Sequence, residues 1–341
     1  MGLTPPLEGG SERHIYELAV RNKNAVVLTQ KGSDCLNKIE LPVMNISSFL
    51  RNISFFMMCL LYSLKLLLVK KYDLIHIHDN LLYFLVPLLK LRYKVIVTIH
   101  GITGFHFYEN KRLWFFFSTS LRFATHLISV SVNDKKLLDQ TFKHVSYIPN
   151  GVDTGLYSTF KVPVEKKITF LGRIHEQKGL TYLLEAFTSF KKKYPSYQLV
   201  LIGKSQGPYY EALKNKFDQK NIIWKGFISD RKEIFKLLAS SEILIYPSLF
   251  EALPWPALLE GLGSGRPVIA SDLEGMRTIF TDQKDLYLVP PHDAKSILTA
   301  LETLLNDKKL ISSLGKNGKK LVNTYSWDLI SQQVQDLYNY V

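Results

Sequence analysis

Short apolar runs alternate with helix-like segments along almost the whole chain, and this alternation constrains the fold more than any other feature. Strands are predicted in the first half over residues 25–29, 74–78, 95–100, 127–132 and 145–149. Helices are predicted between them over 11–22, 48–69 and 81–91. The second half repeats the pattern, with strands over 167–171, 198–202, 222–224, 243–246, 268–270 and 286–289 and helices such as 180–192 and 234–239. Such alternation is typical of parallel, doubly wound sheets, so the predicted fold class is α/β with two Rossmann-like domains.

The composition narrows the class of protein and the kind of partner. A length of 341 residues and a hydrophobic content of 46% suit two globular domains. Cys35 and Cys59 are too few for a disulfide framework, which favours a reducing, cytoplasmic location. The formal net charge of +13 indicates an anionic partner. Because the basic residues are dispersed and form no nucleic-acid-binding motif, phosphates or a membrane surface fit this charge better than nucleic acid.

The stretch from Ser248 to Asp272 carries the strongest functional signal. An apolar run over 243–246 precedes a turn with Glu251, and Pro256 favours the first turn of a helix that contains Glu260. The end of a parallel strand followed by a helix N-terminus forms an anion-binding site, because free backbone N–H groups point outwards there. Two carboxylates beside such a site suit a ligand that also carries hydroxyl groups. A phosphate joined to sugars meets both requirements, so we predict a nucleotide sugar as the ligand.

A second motif, LGRIHEQKGL at residues 171–180, is predicted to follow the end of another strand. Arg173 and Lys178 flank its loop just before a helix. An arginine offers two parallel hydrogen bonds to a phosphate, and a lysine offers a point charge. We therefore expect these two cations to bind a diphosphate.

The two motifs resemble those of the retaining glycosyltransferases of family four, which have the GT-B architecture of two facing Rossmann-like domains. That family has two glutamates eight positions apart before a G-x-P-V-I strand, whereas Glu251 and Glu260 are nine apart. The extra residue suggests a bulge before the helix. The family's G-R…K-G motif is matched at residues 172–179, and its P-N-G-V-D crossover into the second domain is matched at residues 149–153.

The resemblance implies the transfer of a sugar from a nucleotide diphosphate sugar to a glycan, lipid or lipid-linked acceptor. It implies retention of the anomeric configuration, with no metal ion and no other cofactor. Arg173 and Lys178 would neutralise the leaving diphosphate, while Glu251 would hold sugar hydroxyls and Glu260 the ribose. His100, at the end of a predicted strand, would lie beside the reacting sugar as a further catalytic residue. The donor-binding residues implied in this way are Gly9, Gly10, Gly172, Arg173, Lys178, Glu251, Ala252, Leu253, Pro254 and Glu260.

The resemblance also implies a division of the chain. Residues 1–152 would form an acceptor-binding domain and residues 153–325 a nucleotide-sugar domain, with a last helix over 326–341 packed back on the first domain. In the family a first strand precedes the glycine-rich loop, and that strand is missing before Gly9 and Gly10 here. We expect either a translation start upstream of Met1 or a first domain without its central strand.

His76 and His78 lie two residues apart at the end of a predicted strand. Two histidines at this spacing suit a metal ion only with a third ligand nearby, and the sequence indicates none. The resemblance implies a D-x-x-H-x-H motif without metal, so we predict no metal site here.

One apolar run raises the question of a membrane. Residues 53–69 form a run of 17 residues that contains Lys65, whereas a bilayer span needs about 20 apolar residues, so a buried or interfacial helix is favoured. A second aromatic stretch lies at residues 113–117. The basic residues that border the two stretches are Lys70, Lys71, Lys111, Arg112 and Arg122. Apolar side chains next to cations suit a peripheral contact with an anionic membrane, although core helices with basic flanks explain the same pattern.

Two alternatives to a transferase stay open at this point. A nucleotide-sugar epimerase of the same fold would need paired acid and base carboxylates in the first half, where no such pair stands out. A non-catalytic partner subunit that keeps the fold is disfavoured by the presence of Arg173, Lys178 and Glu251. A dinucleotide-binding dehydrogenase is excluded because no G-x-G-x-x-G motif follows a predicted strand.

Overall fold

The computed structural model describes residues 10–32, 34–35, 37–44, 47–69, 71–102, 110–158 and 162–341. The chain divides into two compact units. The first comprises Met1–Gly151 with Trp327–Val341, and the second comprises Val152–Ser326. Both units contain helices and parallel strands, so the predicted α/β fold class is confirmed.

The first unit is built on a four-stranded parallel sheet. The described strands of the whole unit are β1 (Val27–Gln30), β2 (Lys38–Leu41), β3 (Leu74–Ile77), β4 (Lys94–Ile99), β5 (His126–Ser129) and β6 (Val145–Tyr147). Its helices are α1 (Gly10–Arg21), α2 (Ser48–Leu68), α3 (Val86–Lys90), α4 (Lys111–Leu121), α5 (Val132–Asp139) and α13 (Trp327–Tyr340), with a 3-10 helix at Asn80–Leu85. The sheet has the order β3-β4-β5-β6, and β1 pairs with β2 in a separate parallel sheet. Strand β2 escaped prediction because only Leu41 of its four residues is buried, which leaves little apolar signal.

The end of β5 differs from its prediction, and a serine explains the difference. The strand was predicted to run to residue 132, but it ends at Ser129 and α5 begins at Val132. Ser131 caps this helix, since its side-chain oxygen accepts a hydrogen bond from the backbone N–H of Asp134 at 3.4 Å. A serine at this position starts a helix by satisfying one of its free N–H groups, and this effect outweighed the apolar run.

The C-terminal helix α13 completes the core of the first unit. Trp327, Ile330 and Val334 are buried in one cluster with Leu18 of α1 and Ile96 of β4. Arg21 at the end of α1 also donates to Asp328 at 2.6 Å. The last turns of the chain are therefore part of the same hydrophobic core as residues from its beginning.

Helix α2 is unusual in its apolar content. Among the described residues it is the one helix whose length and composition would allow it to cross a membrane. One of its faces is nevertheless buried in the core of the first unit, through Phe55, Cys59 and Leu66.

The second unit is built on a six-stranded parallel sheet with the order β12-β11-β10-β7-β8-β9. These strands are β7 (Glu165–Leu171), β8 (Gln198–Ile202), β9 (Ile222–Gly226), β10 (Ser241–Tyr246), β11 (Val268–Ser271) and β12 (Tyr287–Val289). The helices are α6 (Leu180–Lys193), α7 (Pro208–Lys216), α8 (Arg231–Ser240), α9 (Pro256–Gly263), α10 (Met276–Ile279), α11 (Ala294–Asn306) and α12 (Lys308–Val322). The 3-10 helices among the described residues of this unit lie at Thr154–Ser158, Glu176–Lys178 and Asn323–Tyr325. The helix predicted to begin near Pro256 is confirmed.

Helix α12 packs very closely on the turn that follows α9. A Cβ atom built on Gly315 would lie 2.2 Å from the carbonyl oxygen of Gly265. Real atoms do not approach so closely, so this packing requires a glycine at position 315.

We expect Gly315→Ala to destabilise the second unit by about 2 kcal/mol, the usual cost of an added methyl group in a packed site. Ser312→Ala, an exposed position on the same helix, is the matched control, and its effect should stay within about 0.5 kcal/mol. Guanidinium unfolding followed by tryptophan fluorescence, to which Trp224 and Trp255 of this unit contribute, measures both variants. Equal stability of the two variants would contradict the close packing.

Candidate active site

Two loops of the second unit meet at one edge of its sheet. The first follows β7 and contains the 3-10 helix Glu176–Lys178, and the second follows β10 and contains Glu251. Strands β7 and β10 are parallel neighbours. The carboxyl ends of parallel neighbours lie at the same edge of a sheet, which is where ligands bind in open α/β folds.

A glycine allows the two loops to touch. Gly179 has the left-handed backbone conformation, with φ of 64°, which glycine adopts without strain. A Cβ atom at this position would lie 2.0 Å from the carbonyl oxygen of Pro247. The backbone N–H of Leu249 donates to the carbonyl of Gln177 at 2.7 Å, and the side-chain amide of Gln177 donates to the carbonyl of Phe250 at 2.9 Å.

This contact brings Lys178 and Glu251 together. The two side chains form an ion pair, and they are only 12% and 7% exposed. Ser248 Oγ also donates to Glu251 Oε1 at 2.9 Å, while Gln177 Nε2 lies 3.4 Å from Glu251 Oε2. A buried ion pair is tolerated only when its remaining atoms find partners. Here Oε1 is well satisfied, whereas Oε2 has one long contact with the part of the chain that the structure describes and keeps the capacity to accept a hydrogen bond.

Arg173 lies on the same loop in a different environment. Its side chain is exposed, and it forms no hydrogen bond or ion pair with any residue that the structure describes. A guanidinium group in this position retains all of its donors for a ligand. The loop therefore offers one exposed cation and one that is already paired with a carboxylate.

Glu260 is held by a residue that the sequence analysis did not identify. It lies on α9, is 9% exposed, and forms an ion pair with Arg231 at the start of α8. No sequence motif marks Arg231, because the pairing depends on how α8 and α9 pack. The structure shows no direct contact between Glu260 and Glu251, and the ribose-binding role of Glu260 stays a prediction.

The other predicted donor-binding residues differ in accessibility. Gly172 donates its N–H to the carbonyl of Ile202 at 2.9 Å, and Ala252 is partly exposed. Leu253 and Pro254 are buried, so only their backbone atoms are available to a ligand. Gly10 is the exposed first residue of α1. Gly9 lies outside the described residues.

His100 belongs to a cluster of four histidines in the first unit. It follows β4, and its Nε2 lies 3.3 Å from Nδ1 of His78. His14 of α1 packs edge-on against His100, with ring centroids 5.1 Å apart, and His76 packs against His78 at 4.0 Å. Among the described residues, no group of three or more His, Cys, Asp or Glu side chains has a geometry that could hold a metal ion.

Neutral partners hold the other histidines of the cluster. His14 Nδ1 is 2.9 Å from Asn150 Oδ1, and among the described residues its Nε2 has no hydrogen-bond partner. His76 contacts the Tyr338 hydroxyl at 2.6 Å and Thr98 Oγ1 at 2.7 Å. Nothing in the sequence marked His14, since its partner Asn150 is 136 residues away.

Burial keeps these imidazoles neutral. It lowers the pKa of His14 to about 4, and only the hydrogen bond to Asn150 opposes this shift. The pKa values of His76, His78 and His100 also lie well below the usual range, first because of burial and then because of the neighbouring histidines. A neutral imidazole both donates and accepts hydrogen bonds, which suits contact with sugar hydroxyl groups.

These shifts predict an acid-sensitive first unit. The unfolded chain, with histidine pKa values near 6.5, binds more protons than the folded chain below that pH. Stability is therefore complete above about pH 6.5 and falls as the pH is lowered towards 4, by up to ~1.4 kcal/mol per pH unit for each histidine. His14→Gln should reduce this pH dependence by at least one histidine's share, because His14 also lowers the pKa values of His76, His78 and His100. Urea unfolding between pH 4 and 8 tests this, and a flat profile for the unmodified protein would contradict it.

Two family models match the chain one after the other. The model described as Glycosyltransferase Family 4 matches residues 8–156, and the model described as Glycosyl transferases group 1 matches residues 158–321. The loops described above lie within the second match.

Two curated proteins align with most of the chain. It is 27% identical over 321 residues to the UDP-Gal:alpha-D-GlcNAc-diphosphoundecaprenol alpha-1,3-galactosyltransferase of Escherichia coli, a match that covers 84% of this chain and 81% of that protein. It is 26% identical over 346 residues to an uncharacterized glycosyltransferase of Methanocaldococcus jannaschii, with 98% of this chain and 95% of that protein covered.

Solved structures share the fold at lower identity. The Anabaena protein HepE, crystallised in complex with UDP, superposes with a TM-score of 0.82 at 16% identity over 99% of both chains. Sucrose-phosphate synthase from Thermosynechococcus elongatus superposes with a TM-score of 0.79 at 20% identity, covering 96% of this chain and 92% of that one.

Proposed function

Since the chain belongs to the group 1 glycosyltransferases of family four, with the GT-B fold, we propose that it transfers a hexose from a nucleoside diphosphate sugar with retention of configuration. The observation that carries this proposal is the meeting of the two loops in the second unit. They place an exposed arginine, a lysine and a carboxylate at the edge of the sheet where a donor would bind. Family membership also decides against the epimerase alternative, because the matched family and the named relatives are transferases.

The donor is the ligand of the second unit in this proposal. HepE was crystallised with UDP and with UDP-glucose, and the name of the E. coli relative specifies UDP-galactose. These names make uridine diphosphate sugars the first donors to test. The donor diphosphate would bind the guanidinium of Arg173 and the ammonium of Lys178.

The ion pair with Glu251 need not break when the donor binds. Lys178 has three N–H donors, and the pair with Glu251 uses one of them. Glu251 Oε2 retains acceptor capacity for a sugar hydroxyl. The ion pair would therefore contact both ends of the donor, because Lys178 would bind the phosphates and Glu251 would bind the sugar.

In this proposal the two cations act on the negative charge that develops on the leaving diphosphate. When the bond between the anomeric carbon and the phosphate oxygen breaks, its electron pair moves to the diphosphate. The hydroxyl oxygen of the acceptor forms the new bond to the anomeric carbon, and the hydroxyl proton passes to the released diphosphate. Two positioned cations stabilise that charge more in the transition state than in the ground state, which is what accelerates the step. Arg173 and Lys178 thus supply the charge that a divalent metal supplies in other transferases. The neutral His100 would contact a hydroxyl of the reacting sugar without adding charge.

The acceptor belongs to the first unit in this proposal. It would be a glycan, a lipid or a lipid-linked glycan, and the named acceptor of the E. coli relative is attached to diphosphoundecaprenol. We assign the enzyme to the cytoplasmic side of a membrane, where nucleotide sugars are available.

Arg173→Ala and Lys178→Ala should each lower the rate about a hundredfold, which corresponds to roughly 3 kcal/mol of lost transition-state stabilisation. Release of UDP from UDP-hexoses in the absence of acceptor measures the rate without knowledge of the acceptor. Lys192→Ala, an exposed lysine on α6, is the matched control and should retain the full rate. Proton NMR of the sugar first released reports its anomeric configuration, and inversion would contradict retention. Near-normal rates in both loop variants would contradict the donor site.

Turnover should also survive a chelator. Because the two cations already neutralise the leaving group, EDTA is expected to leave the rate of UDP release unchanged. Loss of activity with EDTA and recovery with magnesium or manganese would contradict the metal-independent mechanism.

A further inference from the structure

Helix α2 exposes a continuous apolar stripe. The stripe consists of Phe49, Ile53, Met57, Leu61, Leu64 and Leu68, each between 44% and 81% exposed. These residues recur every three or four positions, so they lie on one face of the 21-residue helix. That face is about 30 Å long at 1.5 Å per residue. The opposite face carries Phe55, Cys59 and Leu66, which are buried in the core.

The apolar surface continues onto neighbouring elements. The 3-10 helix Asn80–Leu85 packs against both α2 and α4. It exposes Phe84, whose ring lies 5.4 Å from that of Phe117 on α4. Helix α4 exposes Phe115 and Phe116. We name the α2 stripe together with Phe84, Phe115 and Phe116 the apolar face.

The three segments that carry the apolar face contain basic residues and no acidic ones. Residues 48–69, 80–92 and 110–123 contain no Asp or Glu. The basic residues in these segments are Arg51, Lys65, Lys90, Arg92, Lys111, Arg112 and Arg122. All except Arg51 are exposed.

This combination favours one kind of partner. Exposed apolar patches of this extent mark interaction surfaces, and cations beside apolar side chains match the boundary between anionic headgroups and acyl chains. A second copy of the chain fits less well, because its basic residues would meet the same basic residues and repel them. We propose that the apolar face docks on an anionic lipid bilayer, with α2 lying in the plane of the interface.

The packing of α2 distinguishes lying on the membrane from crossing it. Phe55 is 1% exposed and Cys59 0% exposed within the protein core. A helix that crossed the bilayer would withdraw both from this core and would carry Lys65 into the hydrocarbon. Docking in the plane keeps the buried face in the protein and inserts only the stripe.

Cosedimentation of the full chain with vesicles tests the docking without any substrate, so its result is independent of the proposed transfer reaction. Binding is expected with vesicles of phosphatidylglycerol and phosphatidylcholine, and not with phosphatidylcholine alone. It should weaken when salt is raised from about 0.1 M to about 1 M, which shortens the screening length from about 10 Å to about 3 Å. Equal binding to neutral vesicles, or no binding to anionic vesicles at low salt, would overturn the proposal.

A charge reversal with a matched control tests the basic residues. Each basic residue at an anionic surface strengthens partitioning roughly fivefold, so Lys111→Glu with Arg112→Glu should weaken it at least about twenty-fivefold. Lys308→Glu with Lys309→Glu changes the net charge equally at exposed sites of α12 in the second unit and should have little effect. Equal losses in the two double variants would show that net charge alone acts and would overturn the proposal.

The apolar stripe is tested by the triple variant Ile53→Asn, Met57→Asn and Leu61→Asn, at positions that are already exposed. It should lose vesicle binding while its circular dichroism and UDP release stay unchanged. If the triple variant still binds the vesicles, the stripe has no role in docking and the proposal is overturned. The proposal is also overturned if the unmodified chain forms a dimer in solution that the triple variant alone does not form.

Depth measurements separate the two membrane arrangements. Tryptophan placed at the ends and the middle of the stripe, as Phe49→Trp, Leu61→Trp and Leu68→Trp, should be quenched to the same extent by bromines placed high on the acyl chains. Deeper quenching at residue 61 than at either end would show a crossing helix and would overturn docking in the plane.

Discussion

The approach of Gly179 to the carbonyl of Pro247 is the contact on which the proposed donor site depends. It is possible because position 179 has no side chain and adopts a left-handed backbone. Through this contact the loop after β7 reaches the loop after β10, and Lys178 meets Glu251 in a poorly exposed place. Removing two charges from water is costly, so the ion pair is a weak reason for the loops to meet. Backbone packing and the hydrogen bonds of Gln177 hold the loops, and the charges are positioned as a consequence.

The histidine cluster of the first unit shows the opposite electrostatic character. Its members are kept neutral by burial, and the uncharged side chains of Asn150 and Tyr338 contact two of them. Tyr338 comes from the last helix, so that helix is part of the histidine cluster as well as of the core. Neutral donors and acceptors suit the recognition of hydroxyl groups, whereas the charged loops of the second unit suit phosphates. In the reaction that we propose, the two chemistries correspond to the sugar and to the leaving group.

The apolar face of the first unit is not explained by folding. A surface helix needs one apolar stripe to pack on its core, and α2 has that stripe in Phe55, Cys59 and Leu66. Its second stripe, on the opposite side, adds nothing to the core and exposes large side chains to water. The absence of acidic residues from the three adjoining segments is a second feature that packing does not require. A lipid surface gives both features one physical reason.

The sequence by itself determined the α/β class and the loop positions of Arg173, Lys178 and Glu251, because the carboxyl ends of parallel strands lie at one edge of a sheet and side chains that follow them come close together. It could not determine pairings that depend on how distant elements pack. Glu260 with Arg231 and His14 with Asn150 arise from such packing, and no local pattern encodes it. The apolar run also gave a wrong end for β5, because Ser131 caps the next helix and the strand stops at Ser129. For α2, the sequence showed a long apolar helix but not which of its sides the core covers. Only the tertiary structure decided which side is buried and which side remains for a partner, because burial depends on the elements that pack against a helix.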